Sequence, residues 1–447
     1  MLKLFLCLRY LRKRKIVFLS IIAVALSVAL LIVVSSLFNS FIDVFEQSAV
    51  ETIGDVVVVP PIRFSGYKAF TERLQQRTPV EAATAILSAN GLLHLGKGNV
   101  RPVRIWGIEP AGRARVTAFK DYLLRQKSSL REPSFELPDS DEAAGIFAGI
   151  GVLAEPDDKT DEYDFEAVKK MIGTKVVLTT GTLSQIQYDD NEGPKIRTRT
   201  LPFSIADIVF TGVYHLDKFV YMPIEKLQAL SYPGRKEPIA EEIQIKLSDD
   251  AQMQAALAQI RGLWADFAEK QLGWDDGLIR QTTITTAKEL QSMYVAEFRK
   301  QMGILLLIFG VISLSTVVLI FCIFYMIVET RQRDIAIVKS CGATNNSVAF
   351  VFVGLGGCVG LTGSALGMTL GYIVISNINT IEEWLSVVFG LKLWKSSVYM
   401  FSRIPNQLDW SSAMTIVFFA VLAAAVGALI PAVIAAKTNP VDILRYE

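Results

Sequence analysis

Few residues of this 447-residue sequence have the types and spacing that chemistry requires. The segment GLLHLGKG at 91–98 is similar to a phosphate-binding loop through its lysine, but Gly98 stands where such a loop has the Ser or Thr that binds Mg²⁺. The stretches on either side have the alternating pattern of strands, so no helix follows to offer its N-terminal amides to a phosphate group. We therefore exclude a nucleotide-binding loop at this position.

Metal-ligating and catalytic groups are also scarce. His94 and His215 are the two histidines, and neither has a second histidine or a cysteine at the spacing of a zinc site. The carboxylate pair Asp157 and Asp158 lies in a polar segment, where both side chains are expected to be solvated. No nucleophile, general base and orienting group can be assigned together. The sequence predicts a protein without catalytic residues, without a metal site and without a cofactor of its own.

Four long apolar segments account for much of the hydrophobic composition, which is 51% of all residues. The predicted transmembrane spans are 16–42, 302–328, 347–379 and 413–436. Each span contains no Asp, Glu, Lys or Arg, and each is long enough to cross a hydrocarbon core of about 30 Å. Since an ion relay inside the membrane needs such residues, a proton- or sodium-coupled carrier is disfavoured.

Basic residues beside the first span predict the orientation of the chain, because Lys and Arg in short flanks stay on the cytoplasmic side. Those that precede the span are Lys3, Arg9, Arg12, Lys13, Arg14 and Lys15. We expect 1–15 to form an interfacial helix on the inner leaflet and, after four crossings, 437–447 to form a cytoplasmic tail. The first apolar run is far longer than that of a secretory signal peptide, which disfavours its cleavage.

Residues 43–301, between the first two spans, have the short alternating segments of a soluble α/β domain. Strands are predicted at 55–59, 81–95, 100–108, 176–180, 203–214, 243–247 and 278–285, and helices at 67–76 and 252–270. Because the order strand, helix, strand occurs twice around a long insertion, we expect a split α/β lobe formed by 50–110 and 241–290, with an inserted lobe at 111–240. The domain contains no cysteine, so its core must hold it without disulfides.

Two connections on the predicted outer side have less definite roles. The polar stretch at 181–202 should protrude between two strands, and contact with a partner and a plain solvated hairpin are equally open interpretations of it. The second connection, 380–412, is predicted to be an extracytoplasmic loop between the third and fourth spans.

The third span carries two stripes of small residues at four-residue spacing. They are Gly356, Gly360 and Ser364 on one face, and Gly363, Gly367 and Gly371 on an adjacent face. Small residues allow helix backbones to approach each other closely in lipid, so we expect these glycines to serve helix packing. In the fourth span, Pro431 predicts a kink.

The cytoplasmic connection at 329–346 carries the strongest functional pattern. The segment ETRQRDIAIVKSCGA at 329–343 follows the second span without Gly or Pro until Gly342, so the helix is predicted to continue and to stop there. Ile335, Ile337 and Val338 alternate with charged residues, which favours an apolar ridge on which a partner docks. On composition alone, a short solvated loop stays open.

This connector resembles that of the permeases of the FtsX and macrolide-exporter (MacB) type of ABC transporter. The residues that match the family pattern ExRxRDIAIxKSxGA include Glu329, Arg331, Arg333, Asp334, Ile335, Ile337, Lys339, Gly342 and Ala343. The chain end NPVDILRYE at 439–447 is similar to the closing element of the family. The stretches GIEP at 107–110, FTGVYHLDKFVYMPIEKLQ at 210–228 and IPNQLDW at 404–410 resemble the lipoprotein-releasing subgroup, the LolC and LolE type.

The resemblance implies an α-helical membrane protein with four transmembrane helices and a large bilobed α/β extracytoplasmic domain inserted between the first and second helices. It implies a permease subunit of the bacterial inner membrane that extracts lipoproteins and releases them to a carrier by mechanotransmission. The implied partners are two copies of an ATPase subunit that binds ATP and Mg²⁺, a second permease copy or paralogue, the lipoprotein substrate and a soluble carrier. Nucleic acid is not among them. The alternatives are a regulator of cell-wall hydrolases and an exporter of peptides or other amphiphiles.

A binding surface for the lipid anchor is predicted on the outer half of the first span and its extension, because acyl chains need a continuous apolar surface near the outer domain. The surface comprises Val33, Val34, Leu37, Phe38, Phe41 and Phe45, facing Phe298, Met302 and Leu305 near the start of the second span. Phe38, Phe41 and Phe45 share one helical face, which continues past Asp43 and beyond the end of the predicted span. An equally open interpretation is that they pack beneath the outer domain as core residues.

Overall fold

The computed structural model describes residues 15–77, 79–96, 98–137, 144–157, 160–183, 196–248, 252–390 and 392–437. The described residues divide into two compact units. One, here called the helical unit, takes its residues from Met1–Val44, Tyr294–Ile381 and Ile404–Glu447. The other, the sheet unit, takes its residues from Phe45–Met293 and Glu382–Arg403. The predicted interfacial helix, apart from Lys15, most of the polar connection at 181–202 and the closing NPVDILRYE segment lie outside the described residues.

Four helices are long and apolar enough to cross a membrane, which confirms the four predicted spans. The first helix is Lys15–Ile53, the second is Ser292–Thr330, the third is Asn345–Ser376, and the fourth is Trp410–Gly427 continued by Leu429–Lys437. The first and second helices have 39 residues each and exceed the predicted spans. The first continues past Asp43 because no Gly or Pro interrupts it before Gly54, whose φ is +91°.

Pro431 affects the fourth helix as predicted. The helix stops at Gly427 and resumes at Leu429, with Ala428 between the two parts. A proline has no N–H for the carbonyl four residues earlier, and its ring collides with that carbonyl, which here belongs to Gly427. The interruption therefore falls where the proline disturbs the hydrogen-bond ladder.

The predicted continuation of the second helix to Gly342 is wrong at one residue. The second helix ends at Thr330, Arg331 has the non-helical φ of −118°, and a separate helix of nine residues, here called the coupling helix, runs over Gln332–Ser340. The N–H of Arg331 donates to the carbonyl of Val328 over 3.1 Å, which closes a tight turn. Beyond this turn, the coupling helix buries Ile335 and Ala336 in the helical unit.

The sheet unit contains one sheet of nine strands, in the order β11-β1-β10-β3-β4-β8-β5-β7-β6, and a two-stranded sheet of β2 and β9. The strands are β1 (Val56–Val59), β2 (Phe64–Ser65), β3 (Val80–His94), β4 (Val100–Ile108), β5 (Gly145–Gly149), β6 (Lys175–Leu183), β7 (Ile196–Val209), β8 (Phe219–Pro223), β9 (Ile239–Ala240), β10 (Glu242–Leu247) and β11 (Thr283–Thr286). Helices of this unit are Tyr67–Gln75, Pro110–Val116, Ile150–Leu153, Phe165–Lys169, Ile224–Ser231, Met253–Phe267, Asp276–Gln281 and Ala287–Leu290.

The predicted lobes are two parts of this one sheet. Strand β4, from the split lobe, pairs in parallel with β8, from the insertion, with Arg104 opposite Phe219 and Ile108 opposite Pro223. Pairing satisfies the backbone N–H and C=O groups that either edge would otherwise leave exposed. The boundaries near 111 and 240 therefore do not interrupt the sheet.

Two predicted strands are partly wrong. Residues 278–281 are helical, because Asp275 caps a helix over Asp276–Gln281 and accepts a hydrogen bond from the N–H of Leu278 over 3.2 Å. The run predicted as a strand to residue 214 ends at Val209. Beyond it, Asp217 accepts hydrogen bonds from the N–H of Thr211 over 2.6 Å and from its hydroxyl over 2.8 Å, which folds the segment into a turn.

The connection predicted as a loop at 380–412 contains helices over Ile378–Phe389 and Ser396–Tyr399. Buried Glu382 organises the turn between them, because it accepts hydrogen bonds from the N–H groups of Leu393 and Trp394 over 3.2 Å each and pairs with Lys392 at 3.0 Å. Within the sheet unit, the N–H of Tyr214 then donates to the carbonyl of Met400 over 2.8 Å. The segment Glu382–Arg403 is thus part of the sheet unit.

Candidate coupling, packing and lipid-facing sites

The coupling helix is fixed at both ends by charged side chains. At its start Arg331 pairs with Asp334 through Nη1, and at its end Lys339 donates from Nζ to the carbonyl of Ala436 in the fourth helix over 2.7 Å. An acidic residue in the first turn and a basic residue in the last turn also complement the helix dipole. The helix is therefore connected directly to the cytoplasmic end predicted for the fourth helix.

The predicted apolar ridge of the coupling helix is divided between two sides. Ile335 is 6% exposed and Ala336 is fully buried, so both belong to the core of the helical unit. Ile337 and Val338 are 52% and 50% exposed. The expectation that Ile335 lies on a free docking surface is wrong, because its side of the helix faces the bundle.

The other predicted coupling residues lie around this exposed side. Arg333 is exposed and stands one turn before Ile337, so the two share a face of the helix. Glu329 and Gly342 are exposed as well, and Ala343 is half-buried. Gly342 has a φ of +95°, which a residue with a side chain rarely adopts, and it ends the segment. Of the ridge and the predicted coupling residues, a partner can therefore reach Glu329, Arg333, Ile337, Val338 and Gly342.

One glycine stripe of the third helix packs against the fourth. A Cβ added at Gly356 would lie 2.5 Å from the Cβ of Ala428, and one added at Gly360 would lie 2.8 Å from the Cβ of Ala424. These distances are far below van der Waals contact, so the backbones approach each other only because the side chains are missing. Ser364, on the same stripe, is fully buried.

The second stripe packs against the first helix. Cβ atoms added at Gly363, Gly367 and Gly371 would lie 2.8 Å from Val24, 2.6 Å from the carbonyl oxygen of Ala25 and 3.1 Å from Ile32, respectively. At Gly354 and Gly357, on other sides of the third helix, an added Cβ would meet no heavy atom of the described residues within 4 Å. The two stripes thus hold the first and fourth helices on adjacent sides of the third.

Of the predicted lipid-facing residues, Phe41 of the first helix and Phe298 of the second are in contact. The rings of Phe41 and Phe298 are 5.1 Å apart at an interplanar angle of 88°, the favourable edge-to-face arrangement. The remaining members that lie in the helical unit are half-buried, namely Val33, Val34, Leu37, Phe38, Met302 and Leu305. The first and second helices therefore meet at the level of this pair.

Phe45 does not offer the open apolar surface that was predicted. It is 5% exposed and falls in the sheet unit. Ile42 and Ala49, three residues before it and four residues after it, are 4% and 1% exposed. This spacing of three and four residues is that of a buried helical face, so Phe45 packs as a core residue on the extension of the first helix.

A polar cluster on the first helix was missed by the sequence analysis. Ser35, Ser36 and Ser40 are buried, and the hydroxyl of Ser40 donates to the carbonyl of Gln407 over 2.6 Å. The amide of Asn39 donates to Asp409 over 2.6 Å. The run of small polar residues in an otherwise apolar span was the available signal, but the partners lie about 370 residues away in sequence.

Asp409 is the centre of this cluster. It caps the fourth helix by accepting hydrogen bonds from the N–H groups of Ser411 and Ser412. Hydrogen bonds hold the pKa of the Asp409 carboxyl below its usual range, and the bond from the Ser412 hydroxyl has the largest effect. The cluster therefore joins the C-terminal half of the first helix to the start of the fourth.

Two family profiles match the chain. The profile of the MacB-like periplasmic core domain matches residues 17–263, which is more than half of the chain, and that of the FtsX-like permease C-terminal region matches residues 306–440.

Similar proteins match over nearly the whole length. The chain is 26% identical to the lipoprotein-releasing system transmembrane protein LolC of Neisseria meningitidis serogroup B, with 98% of both chains covered. It is 23% identical to the lipoprotein-releasing system transmembrane protein LolE of Haemophilus influenzae, with 95% of this chain and 93% of the relative covered. Among solved structures, the periplasmic region of MacB from Actinobacillus actinomycetemcomitans has 13% sequence identity and a TM-score of 0.33, with 55% of this chain and 95% of that chain covered.

Proposed function

Because the chain belongs to the family of ABC transporter permeases with FtsX-like and MacB-like regions, we propose that it is the permease subunit of a transporter that extracts lipoproteins from the inner membrane and releases them to a soluble carrier. The full-length similarity to LolC and LolE supports this substrate class. The partners in the proposal are two copies of an ATPase that binds ATP and Mg²⁺, a second permease and the carrier.

The length of the first two helices is the observation that carries the proposed mechanism. At 1.5 Å per residue, 39 residues extend about 58 Å, roughly twice the thickness of a hydrocarbon core. A continuous helix of this length transmits a displacement from one end to the other without a joint. ATP-driven movement on the cytoplasmic side would in this way shift the extracytoplasmic domain, which would push the lipoprotein away from the membrane.

Transmission fits the membrane helices better than conduction does. The predicted spans contain no charged residue, and the glycine stripes bring the third helix into close contact with the first and the fourth. A packed apolar bundle of this kind provides no polar path for a hydrophilic substrate. The lipid anchor instead stays in an apolar environment while the protein part of the substrate remains in water.

The coupling helix is the proposed contact with the ATPase. Its exposed Arg333, Ile337 and Val338 provide one cation beside two apolar side chains. Lys339 connects the same helix to the fourth helix, so a force applied to it has a direct path into the bundle. In this proposal the N- and C-termini lie in the cytoplasm, in agreement with the basic residues before the first span.

The proposed contact with the lipid anchor is the outer half of the first helix with the start of the second. Photocrosslinking residues at Leu37, Phe41 and Met302 are expected to capture a lipoprotein and to lose it when ATP is added. Val417 and Leu422 of the fourth helix are the control positions. Equal capture at both sets, or capture that ATP does not change, would contradict this location.

The function is tested by reconstitution. The chain is purified in mild detergent with its bound partners, placed in proteoliposomes that contain a lipoprotein, and supplied with ATP, Mg²⁺ and carrier. We expect copurification of an ATPase and ATP-dependent transfer of the lipoprotein to the soluble fraction. A complex that hydrolyses ATP but releases no lipoprotein, while it activates a cell-wall hydrolase or exports a peptide, would refute the lipoprotein-releasing function.

A further inference from the structure

The helical unit contains an apolar cavity of about 360 Å³ between the first, second and fourth helices. Val28 and Leu31 of the first helix, Leu314 and Val317 of the second, and Phe419 and Ala420 of the fourth are among its lining residues. Small residues create the space, since Gly310 and Ala423 also line it. A volume of this size lies in the range of small-molecule binding sites.

The polar groups of the cavity do not require a polar ligand. The hydroxyls of Ser27 and Ser313 are 2.8 Å apart and hydrogen-bond each other across the first and second helices. The hydroxyl of Thr415 donates to the carbonyl of Ser411 over 2.9 Å. Because the remaining lining is apolar apart from Thr316, water gains few hydrogen bonds there, and an apolar occupant is favoured.

Exposed apolar side chains border the mouth of the cavity. Leu314 and Phe419, which line it, are 62% and 59% exposed. On the same two helices Val311 and Phe418 are 60% and 65% exposed, so the mouth is continuous with an exposed apolar surface of these two membrane-length helices. Its lining residues in the first helix, from Val24 to Leu31, fall in the middle of the predicted span 16–42.

We propose that this cavity binds one acyl chain of a membrane phospholipid, which enters sideways from the hydrocarbon core. The chemistry fits, because the site is apolar, laterally open and located at the depth where phospholipid chains are the surrounding solvent. The occupant fills space that the small residues leave and joins the first, second and fourth helices. This site is separate from the proposed contact for the lipoprotein anchor and does not depend on it.

The test uses a phospholipid with a photoactivatable diazirine in its acyl chain, reconstituted with the full chain and its copurifying partners in nanodiscs. We expect crosslinks to concentrate on Val317, Phe419 and Ala423, above the level at Val426, an exposed residue of the fourth helix. Ala420→Phe fills the cavity and is expected to abolish this labelling. Leu422→Phe adds a ring to the exposed side of the same helix and is expected to keep it.

A second measurement separates loss of the ligand from loss of the fold. Delipidation with detergent is expected to lower the Tm of the parent protein and of Leu422→Phe, whereas the Tm of Ala420→Phe should not change, because the phenyl ring occupies the space of the chain. Labelling of Val426 equal to that of the cavity would indicate only annular lipid and overturn the proposal. Labelling by a lipoprotein with the same diazirine chain, but not by the phospholipid, would overturn it as well.

Discussion

The helical unit and the sheet unit achieve close packing by different means. In the helical unit, the third helix contacts the first and the fourth through glycines, where the approach of backbones replaces side-chain contact. In the sheet unit, the interior is filled by large side chains, and Trp264, Phe70, Phe147 and Arg113 are each less than 3% exposed. Packing in the helical unit therefore depends on residues without side chains, and packing in the sheet unit depends on large side chains.

The buried side chain of Arg113 makes several directional contacts in the sheet unit. Its guanidinium lies 4.8 Å from the ring centroid of Trp106 and donates hydrogen bonds of 3.1 Å to the side chain of Gln244 and to the carbonyl of Thr52, near the end of the first helix. Burial lowers the pKa of Arg113, and the nearby Tyr221 and Glu242 oppose this effect. Directional contacts of this kind hold the sheet unit through hydrogen bonds, whereas the glycine stripes hold the helices of the helical unit through close backbone approach. We therefore expect substitutions that remove donors to weaken the sheet unit, and substitutions that add atoms at the glycines to weaken the helical unit.

The largest effect is expected for Gly367→Leu. A Cβ at this position would lie 2.6 Å from the carbonyl oxygen of Ala25 and 2.8 Å from Val28, and backbone cannot move aside as a side-chain tip can. We expect a loss of about 3 kcal/mol or more in the free energy of unfolding, with poor recovery from membranes. The control is Gly357→Leu, where the space is open. Equal thermal unfolding of both variants in detergent would show that the stripe does not hold the helices.

The coupling helix allows a paired test within the helical unit. Ile335→Asp buries a carboxylate without a partner and is expected to destabilise the protein by about 3 kcal/mol. Ile337→Asp, on the exposed side, should leave the Tm unchanged and abolish stimulation of the ATPase by the permease. The readouts are thermal unfolding and ATPase activity of the purified complex. If both variants have the same Tm, or if Ile337→Asp retains full stimulation of the ATPase, the assignment of Ile335 to the core and of Ile337 to the partner surface is wrong.

In the sheet unit, Arg113→Met tests the directional contacts. The variant keeps an apolar side chain of similar length but leaves the Thr52 carbonyl and Gln244 without their donor, so we expect a loss of about 2 kcal/mol. Arg113→Lys is the control, since it keeps the charge and loses the planar guanidinium. Its free energy of unfolding should lie between those of the parent and of Arg113→Met. Chemical denaturation followed by intrinsic fluorescence measures the effect. A stability equal to that of the parent would mean that packing alone holds this region.

Local sequence patterns predicted most strands and all four spans. The predictions failed where the structure depends on contacts between residues far apart in sequence. The strand patterns of β1, β3, β4 and β10 and the apolar runs of the spans depend on neighbouring residues, so the sequence is sufficient for them. The burial of Ile335 depends on the surrounding bundle, and the contact of Asn39 with Asp409 joins residues 370 positions apart. The helix at 278–281 depends on a single cap at Asp275, which overrode a strand-like pattern.

The smallest effect is expected from protonation of Asp217, which is 2% exposed in the turn that holds Thr211. Burial raises its pKa to about 7, although hydrogen bonds from Thr211 and Gly212 act in the opposite direction. An unfolded Asp titrates near about 4, so between about pH 4 and pH 7 the folded state binds more protons than the unfolded state, and stability falls as the pH rises through this window. Between pH 6 and pH 8 the free energy of unfolding should fall by about 1 kcal/mol.

Asp217→Asn, which cannot ionise, should remove this part of the pH dependence. Thermal unfolding of both proteins at pH 6 and pH 8 measures it, and an equal decline in both would assign the pH dependence to other groups.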